Sequence, residues 1–542
     1  MTTNLNNDKH NAAQRPARLL PLLLPLLSCA LLLASCFSDD STGFDNEVSD
    51  ISVSGIDEEY TKTAYIGERL EISPVVEAGY GDAQMDYQWM LLDGKTGSVT
   101  SVGDTIQPAI ISTEKNLSYE VNLSPGTYQL RFVARAKTND YTSITLAKLN
   151  VETEFSSGFY IMKETADGNT ELDLLASGGK LATDLLQKTQ GSSLSGKPYS
   201  MWINYGHYYV NPESDEMEST NSVTVITEDG GMKMMRSSDL GVIFDRSSLL
   251  FEEMEQKEKP YAFFLQMMYG LTYISSSGLR YTNDEYSMAG TSPCSGKMGL
   301  PLDGVGGGSK HVIHSIPNFG GLLVWDEQSR SLNAINYNFM QSPLTYMNMT
   351  GEDVTQNLAN HECLSCGMNV VNGVETDNFI LQDNATGRRY VYLCDGNYLT
   401  DRLEVPANSR MAKATAFATN GQTARYIYFT TGDKLYGYNF ANADFSEVEM
   451  PLRGIGQGET IAYVANQFVA QSGSSNFDHL IVGTQKGNEY KLYFYDMIGG
   501  VPDGDPVRTV QGTGKVRAVR SLTPGARLSY LMFSYYIYPI ND

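Results

Sequence analysis

GFYIMKETADGNTELDLL, residues 158–175, decides the fold. An apolar run meets a polar turn rich in Asp, Gly and Asn, and a second apolar run follows. Such a pattern reads as a hairpin, two strands with turn chemistry between them. It recurs as SVTVITEDGGMKMMR (222–236), LLVWDEQSRSLNAIN (322–336) and NFILQDNATGRRYVYL (378–393). It recurs again as YIYFTTGDKLYGYNF (426–440) and LIVGTQKGNEYKLYFYD (480–496). Hairpins repeated roughly every 50 to 100 residues point to a β-propeller, with further sandwiches as the alternative. Residues 158–542 hold six or seven blades of about 50–60 residues each. The final run, LSYLMFSYYIYPIND (528–542), is expected to complete the blade begun by GFYIMKE and so close the ring. Two stretches break the pattern. SSLLFEEMEQKEKPYAFFLQMM (247–268) suggests a short helix in a blade insertion. SPCSGKMGLPLDGVGGGSK (292–310) has the composition of a mobile loop.

Ahead of the hairpins, short strand signals crowd residues 51–151. They are Ile51–Ile56, Leu70–Val76, Tyr87–Leu92, Leu117–Leu123, Gly126–Ala134 and Ile144–Val151. Six short strands separated by turns predict a β-sandwich. Trp89 alternates with Tyr87 as a core aromatic would. Tyr128 opens a late strand, where a tyrosine corner is common. With 34 Tyr and 50 Gly in 542 residues, the whole chain has an all-β composition.

The N-terminus carries an address. Arg15 and Arg18 precede the apolar run LLPLLLPLLSCALLLA (19–34), which has the layout of an export signal. The run is shorter than the roughly 20 residues of a spanning helix. Leu33-Ala-Ser-Cys36 looks like a lipobox. That likeness implies cleavage before Cys36 and acylation of its thiol and new amino group. Cys29 is a poorer match. Phe37-Ser-Asp-Asp-Ser41 is similar to the surface-export signal of Bacteroidota lipoproteins. The expected location is therefore the outer membrane, lipid-anchored and exposed at the cell surface. Loss of residues 1–35 removes Lys9, Arg15, Arg18 and Asp8, taking the formal charge from −24 to −26. So acidic a surface excludes nucleic acid and anionic headgroups as partners.

Residues 51–152 also resemble the PKD-like domain of Bacteroidota surface lipoproteins. The residues that carry this are Tyr87-Gln-Trp89, IISTEKNLSY (110–119), Pro125-Gly-Thr-Tyr128 and Leu149-Asn-Val-Glu-Thr153. Lipobox, PKD-like domain and tyrosine-rich C-terminal region together look like a PKD-like family lipoprotein. That resemblance implies a place beside an outer-membrane nutrient uptake system, and it brings no catalytic residues with it. The expected organisation is a signal at 1–35, an acidic tether at 36–50, an Ig/PKD-like sandwich at 51–155 and a propeller-like domain at 156–542.

Motifs of catalysis are missing. There is no GxSxG, and His361-Glu362 lacks the second histidine of HExxH. Paired glycosidase carboxylates are not distinguishable among so many acids. Cys363 and Cys366, with Cys394, suggest a disulfide or a thiol cluster. They fall short of a four-ligand zinc site. Asp303 and Asp503-Gly-Asp505 hint at calcium without completing a calcium loop. No other cofactor or metal is indicated. Trp202, Tyr205, Tyr208 and Tyr209, in SMWINYGHYYVN, form the one aromatic cluster without clean alternation, and they are candidates for a ligand-binding surface. The expected function is non-catalytic capture or scaffolding of a glycan or peptide for an outer-membrane importer. The alternatives are a propeller hydrolase or lyase, or a structural subunit docked on the importer.

Overall fold

The computed structural model describes residues 50–523, apart from 65–67, 80, 82–83, 94–95, 97–104, 106, 122, 124, 212–213, 267–269, 283–295, 303–304, 316–320, 337–344, 373, 443 and 470–476. Cys36 and the candidate surface signal lie outside these residues, as do Cys294, Asp303 and 528–542.

The N-terminal unit is a β-sandwich. Its larger sheet orders Glu59–Thr63, Thr142–Glu152, Gly126–Ala136, Met85–Leu92 and Ala109–Ser112. Facing it are two antiparallel pairs, Ser52–Ser54 with Val75–Glu77 and Arg69–Ile72 with Leu117–Glu120. Strict alternation along 126–136 and 142–152 sends Leu130, Phe132, Ala134, Leu149 and Val151 inward. Trp89 is fully buried against Phe132, 4.5 Å between ring centroids, and its indole N–H donates to Lys115 O at 3.1 Å. Tyr128 packs at the edge of the same core.

Seven blade sheets follow, with one further two-stranded pair, Val370–Val371 and Val374–Glu375, among the described residues. Blade 1 is Pro198–Val210, Met217–Thr227, Met232–Arg236 and Val242–Asp245. Blade 2 is Pro260–Gln266, Gly270–Ser275 and Gly278–Tyr281. Blade 3 is Val312–Ser315, Gly321–Asp326, Ser331–Asn336 and Thr345–Asn348. Blade 4 is His361–Gly367, Asp377–Asp383, Arg389–Asp395 and Tyr398–Glu404. Blade 5 is Phe417–Thr419, Tyr426–Thr431, Lys434–Asn439 and Glu447–Glu449. Blade 6 is Thr460–Val469, Phe477–Lys486, Glu489–Ile498 and Arg508–Thr513. Blade 7 takes three strands from the start of the region, Gly158–Glu164, Thr170–Ala176 and Leu181–Ala182. Its innermost strand, Lys515–Leu522, comes from the far end.

The innermost strands of successive blades contact one another from blade 3 round to blade 7, from blade 7 to blade 1 and from blade 1 to blade 2. The apolar clusters sit between successive blades: one joins blades 1, 2 and 3, and the rest join 3–4, 4–5, 5–6, 6–7 and 7–1. This explains why the strands read as continuous apolar runs. A blade is covered on both faces, so successive residues both find a core. Phe159 and Ile161 face blade 6, while Tyr160 and Met162 face blade 1. The fold is thus an all-β sandwich followed by a seven-bladed propeller.

All six quoted hairpins are the second and third strands of their blades. Each connecting turn has a left-handed residue: Gly168, Gly230, Arg330, Gly387, Gly432 and Gly487. Glycine enters that region without a Cβ clash, which is why it recurs there. Three expectations are corrected. Residues 247–259 contain no helix. They are turns, and PYAFFLQ is the inner strand of blade 2, the blade the hairpin pattern left out. The glycine-rich run is not a loose loop over its described part. Gly307, Gly308 and Ser309 are buried, and a Cβ on Gly308 would sit 2.3 Å from Ile274 Cγ2. Close approach of the backbone, not mobility, requires glycine here. The strand that pairs with GFYIMKE and closes the ring is KVRAVRSL, 515–522, while the terminus expected to do so, 528–542, lies outside the described residues.

The seam between blades 6 and 7 also has a polar stitch. Lys163 Nζ lies 2.7 Å from Asp173 and 2.8 Å from Asp184, and Tyr490 of blade 6 donates to Asp173 at 2.6 Å. All but Asp184 are fully buried, where an ion pair holds only with its remaining hydrogen bonds satisfied.

Candidate binding cleft between the last two blades

The two-residue turn Gly487-Asn488 fixes the register of the quoted hairpin in blade 6, and it sets His479 opposite Asp496. Phe494 pairs in turn with Arg508 on the outer strand. Alternation then puts Phe477, His479, Phe494, Asp496 and Arg508 on one face of blade 6. Phe159 of blade 7 meets them from across the seam. Together with Ser521, Leu522 and Thr523 they line a cleft of about 530 Å³. Ser157 and Gly158, the entry from the sandwich, form part of its rim.

The aromatic wall is tightly built. Phe477 stacks on His479 with centroids 4.8 Å apart and planes at 11°. Phe159 lies 5.4 Å from Phe477 and 4.9 Å from Phe494, edge-on to the latter. His479 Nδ1 is 2.9 Å from Asp496 Oδ1. Burial pulls the His479 pKa down, with Arg508 adding to that and Asp496 opposing it. A neutral imidazole thus sits beside an exposed carboxylate. Behind it, Asp478 accepts from Thr423 Oγ1 at 2.7 Å and Asn466 Nδ2 at 2.8 Å. Burial nonetheless raises its pKa. The cleft can pack a flat ligand face against aromatic rings, accept a hydrogen bond at Asp496 and donate one from Arg508.

The aromatic cluster named from sequence lies elsewhere. Trp202, Tyr205 and Tyr209 are 4%, 4% and 1% exposed, inside the ring, so they do not present a ligand-lining surface. Trp202 Nε1 donates to Tyr261 O at 3.0 Å, Tyr205 OH to Ser521 O at 3.4 Å and Tyr209 OH to Glu218 at 2.8 Å. Tyr208 is half-buried. Irregular register between Asn204 and His207, with Gly206 at φ 67°, breaks the alternation that the sequence lacked. That irregularity is a β-bulge, not a binding patch.

Cys363, Cys366 and Cys394 form no disulfide and lie buried in one core between blades 3 and 4, so of the two expected alternatives the structure shows the thiol cluster. Burial pushes the Cys363 and Cys394 thiols up, which leaves them weak nucleophiles. Among the described residues no group of three or more His, Cys, Asp or Glu is placed to hold a metal ion. Nor is any helix there long and apolar enough to cross a membrane.

Next to Cys394, Asp377 is fully buried. Burial, the Glu375 carboxyl and Asp395 push its pKa well up. A raised carboxyl pKa gives stability that is complete below about pH 4 and is lost as pH rises through the folded value. Asp377→Asn should therefore stabilise the protein at pH 7, by about 1–3 kcal/mol, with the gain vanishing toward pH 4. Urea melts of both proteins at the two pH values check this. A variant less stable at pH 7 would contradict it.

The PKD-like family profile matches residues 36–198. The match takes in the tether, the sandwich and the first strands of blade 7, ending where blade 1 begins. No curated protein matches the chain. Among solved structures, it is similar to a quinoprotein alcohol dehydrogenase-like protein of Bacteroides thetaiotaomicron. That likeness has 14% identity and TM-score 0.45, over 88% of this chain and 100% of the other. PorZ, a surface component of the type-IX secretion system of Porphyromonas gingivalis, aligns at 12% and 0.33, over 67% and 38%. AztD of Citrobacter koseri aligns at 11% and 0.33, over 80% and 100%. Likeness at this level transfers no ligand and no activity.

Proposed function

We propose that the protein is a lipid-anchored lipoprotein on the outer face of the outer membrane, and that its propeller captures a glycan or peptide for an uptake system without catalysis. The cleft between blades 6 and 7 carries this reading. It joins an aromatic wall to one acceptor and one donor, a combination suited to holding a ligand's flat face and polar edge. The acidic tether and the lipobox-like Leu33–Cys36 support the location. A tethered binder works by raising the local concentration of its ligand beside the importer.

The test uses the chain without residues 1–36, which keeps every described residue. It is screened against glycan and peptide libraries with binding and product formation read in the same wells. Binding without turnover is expected, and Phe477→Ala should weaken it about tenfold, the scale of one lost aromatic contact. Turnover, or affinity untouched by Phe477→Ala and Arg508→Ala together, would overturn the reading. For the anchor, Cys36→Ala should move the protein from the membrane to the soluble fraction. Retention in the membrane would refute lipidation.

A further inference from the structure

Blade 1 holds a group of buried polar side chains that the fold does not use. Register sets Trp202 opposite Thr224, Asn204 opposite Ser222 and, beyond the bulge, His207 opposite Thr220. Asn204, His207, Ser222 and Thr224 therefore share one face of the sheet. That face is turned to blade 2, where Trp202 meets Phe264 at 4.8 Å. Asn204 is 3% exposed, His207 1%, and Ser222 and Thr224 not at all. Tyr209 and Phe244 flank the imidazole, with ring centroids at 6.1 and 6.2 Å.

Asn204 Nδ2, both ring nitrogens of His207, Ser222 Oγ and Thr224 Oγ1 have no hydrogen-bond partner among the described residues. Five such atoms on one patch are far outside the usual pattern, in which buried polar groups are satisfied. We propose that this face of blade 1 binds a cluster of internal water molecules held by Asn204, His207, Ser222 and Thr224. The chemistry fits a small neutral guest with both donors and acceptors. The amide nitrogen donates, each hydroxyl does both, and a neutral imidazole offers one donor and one acceptor. The four side chains offer an ionic guest no opposite charge. A buried water makes about three hydrogen bonds, so five atoms call for at least two waters. Such a cluster would bridge the two inner strands of blade 1 where the bulge interrupts their ladder.

A crystal structure of the chain without residues 1–36 gives the direct answer. Ordered solvent is expected within about 3.2 Å of at least two of the four side chains. Density for an organic guest, or side chains bonded to one another with no solvent, would overturn the proposal. A second test has opposite signs for the two cases. Ser222→Ala with Thr224→Val removes two hydroxyls at nearly constant shape. If water satisfies them, Tm falls by about 2–4 °C. If they are truly orphaned, apolar replacement relieves their burial cost, and Tm rises or stays put. A rise or no change would sink the proposal.

Discussion

A chain ending at Gly514 should fail to form the propeller. It loses Lys515–Leu522, the inner strand of blade 7, and with it the only ladder that Gly158–Glu164 has on that side. Val516, Val519 and Leu522 are 7%, 0% and 1% exposed. At about 1.5–3 kcal/mol for each buried side chain, their loss alone costs about 5–9 kcal/mol. That is the scale of a whole domain's stability, about 5–15 kcal/mol. Ile161 and Met162 would also be uncovered, and blades 6 and 1 would lose the strand that joins them. Thermal melts and gel filtration should show loss of the cooperative transition and aggregation. A truncated chain melting within a few degrees of the parent would show that the ring does not depend on this strand. Val519→Asp is the milder version, placing a charge in the 6–7 core.

The second large effect is a loss of stability in acid that traces to one residue. Burial pulls the His207 pKa down to about 4 from its ordinary 6.5. The unfolded chain takes up a proton first as pH falls, so the stability His207 contributes is complete above about 6.5. It is lost between there and about 4. A shift of that size corresponds to about 3 kcal/mol. His479 is displaced in the same direction, so the parent's total slope is not His207's alone. The decisive quantity is a difference. Between pH 7 and pH 4.5, His207→Gln should lose about 2 kcal/mol less than the parent in urea unfolding. Equal losses would mean that the imidazole finds a proton acceptor in the folded state.

Much of the architecture was legible because turn chemistry is local. Each quoted hairpin carries its own glycine or aspartate turn, and each became the middle of a blade. Blade 2 was hidden because its turn, Ser276-Ser277, lacks the Asp-Gly signature, and because EEMEQKEK suggested a helix. The closing strand was hidden because KVRAVRSL alternates charge with short apolar residues, whereas the terminus after it looks far more strand-like. The cleft was half legible. Once Gly487-Asn488 is taken as a two-residue turn, His479 and Asp496 must face each other. That Phe159 would join them depends on ring closure, a contact no local pattern encodes. The aromatic cluster at 202–209 was misread for a related reason: a bulge disturbs alternation in the same way a surface patch would.

Blade 7 sets the order in which the molecule can be finished. Its outer three strands are among the first residues after the sandwich, and its last strand is made more than 300 residues later, Gly158 pairing with Leu522. Through synthesis those three strands wait with an open edge, and no chain that stops short of Lys515 has a closed ring. Such distant pairing makes folding slow. The propeller is therefore a structure that closes only once the chain has been made through Leu522, whatever the earlier blades have already formed.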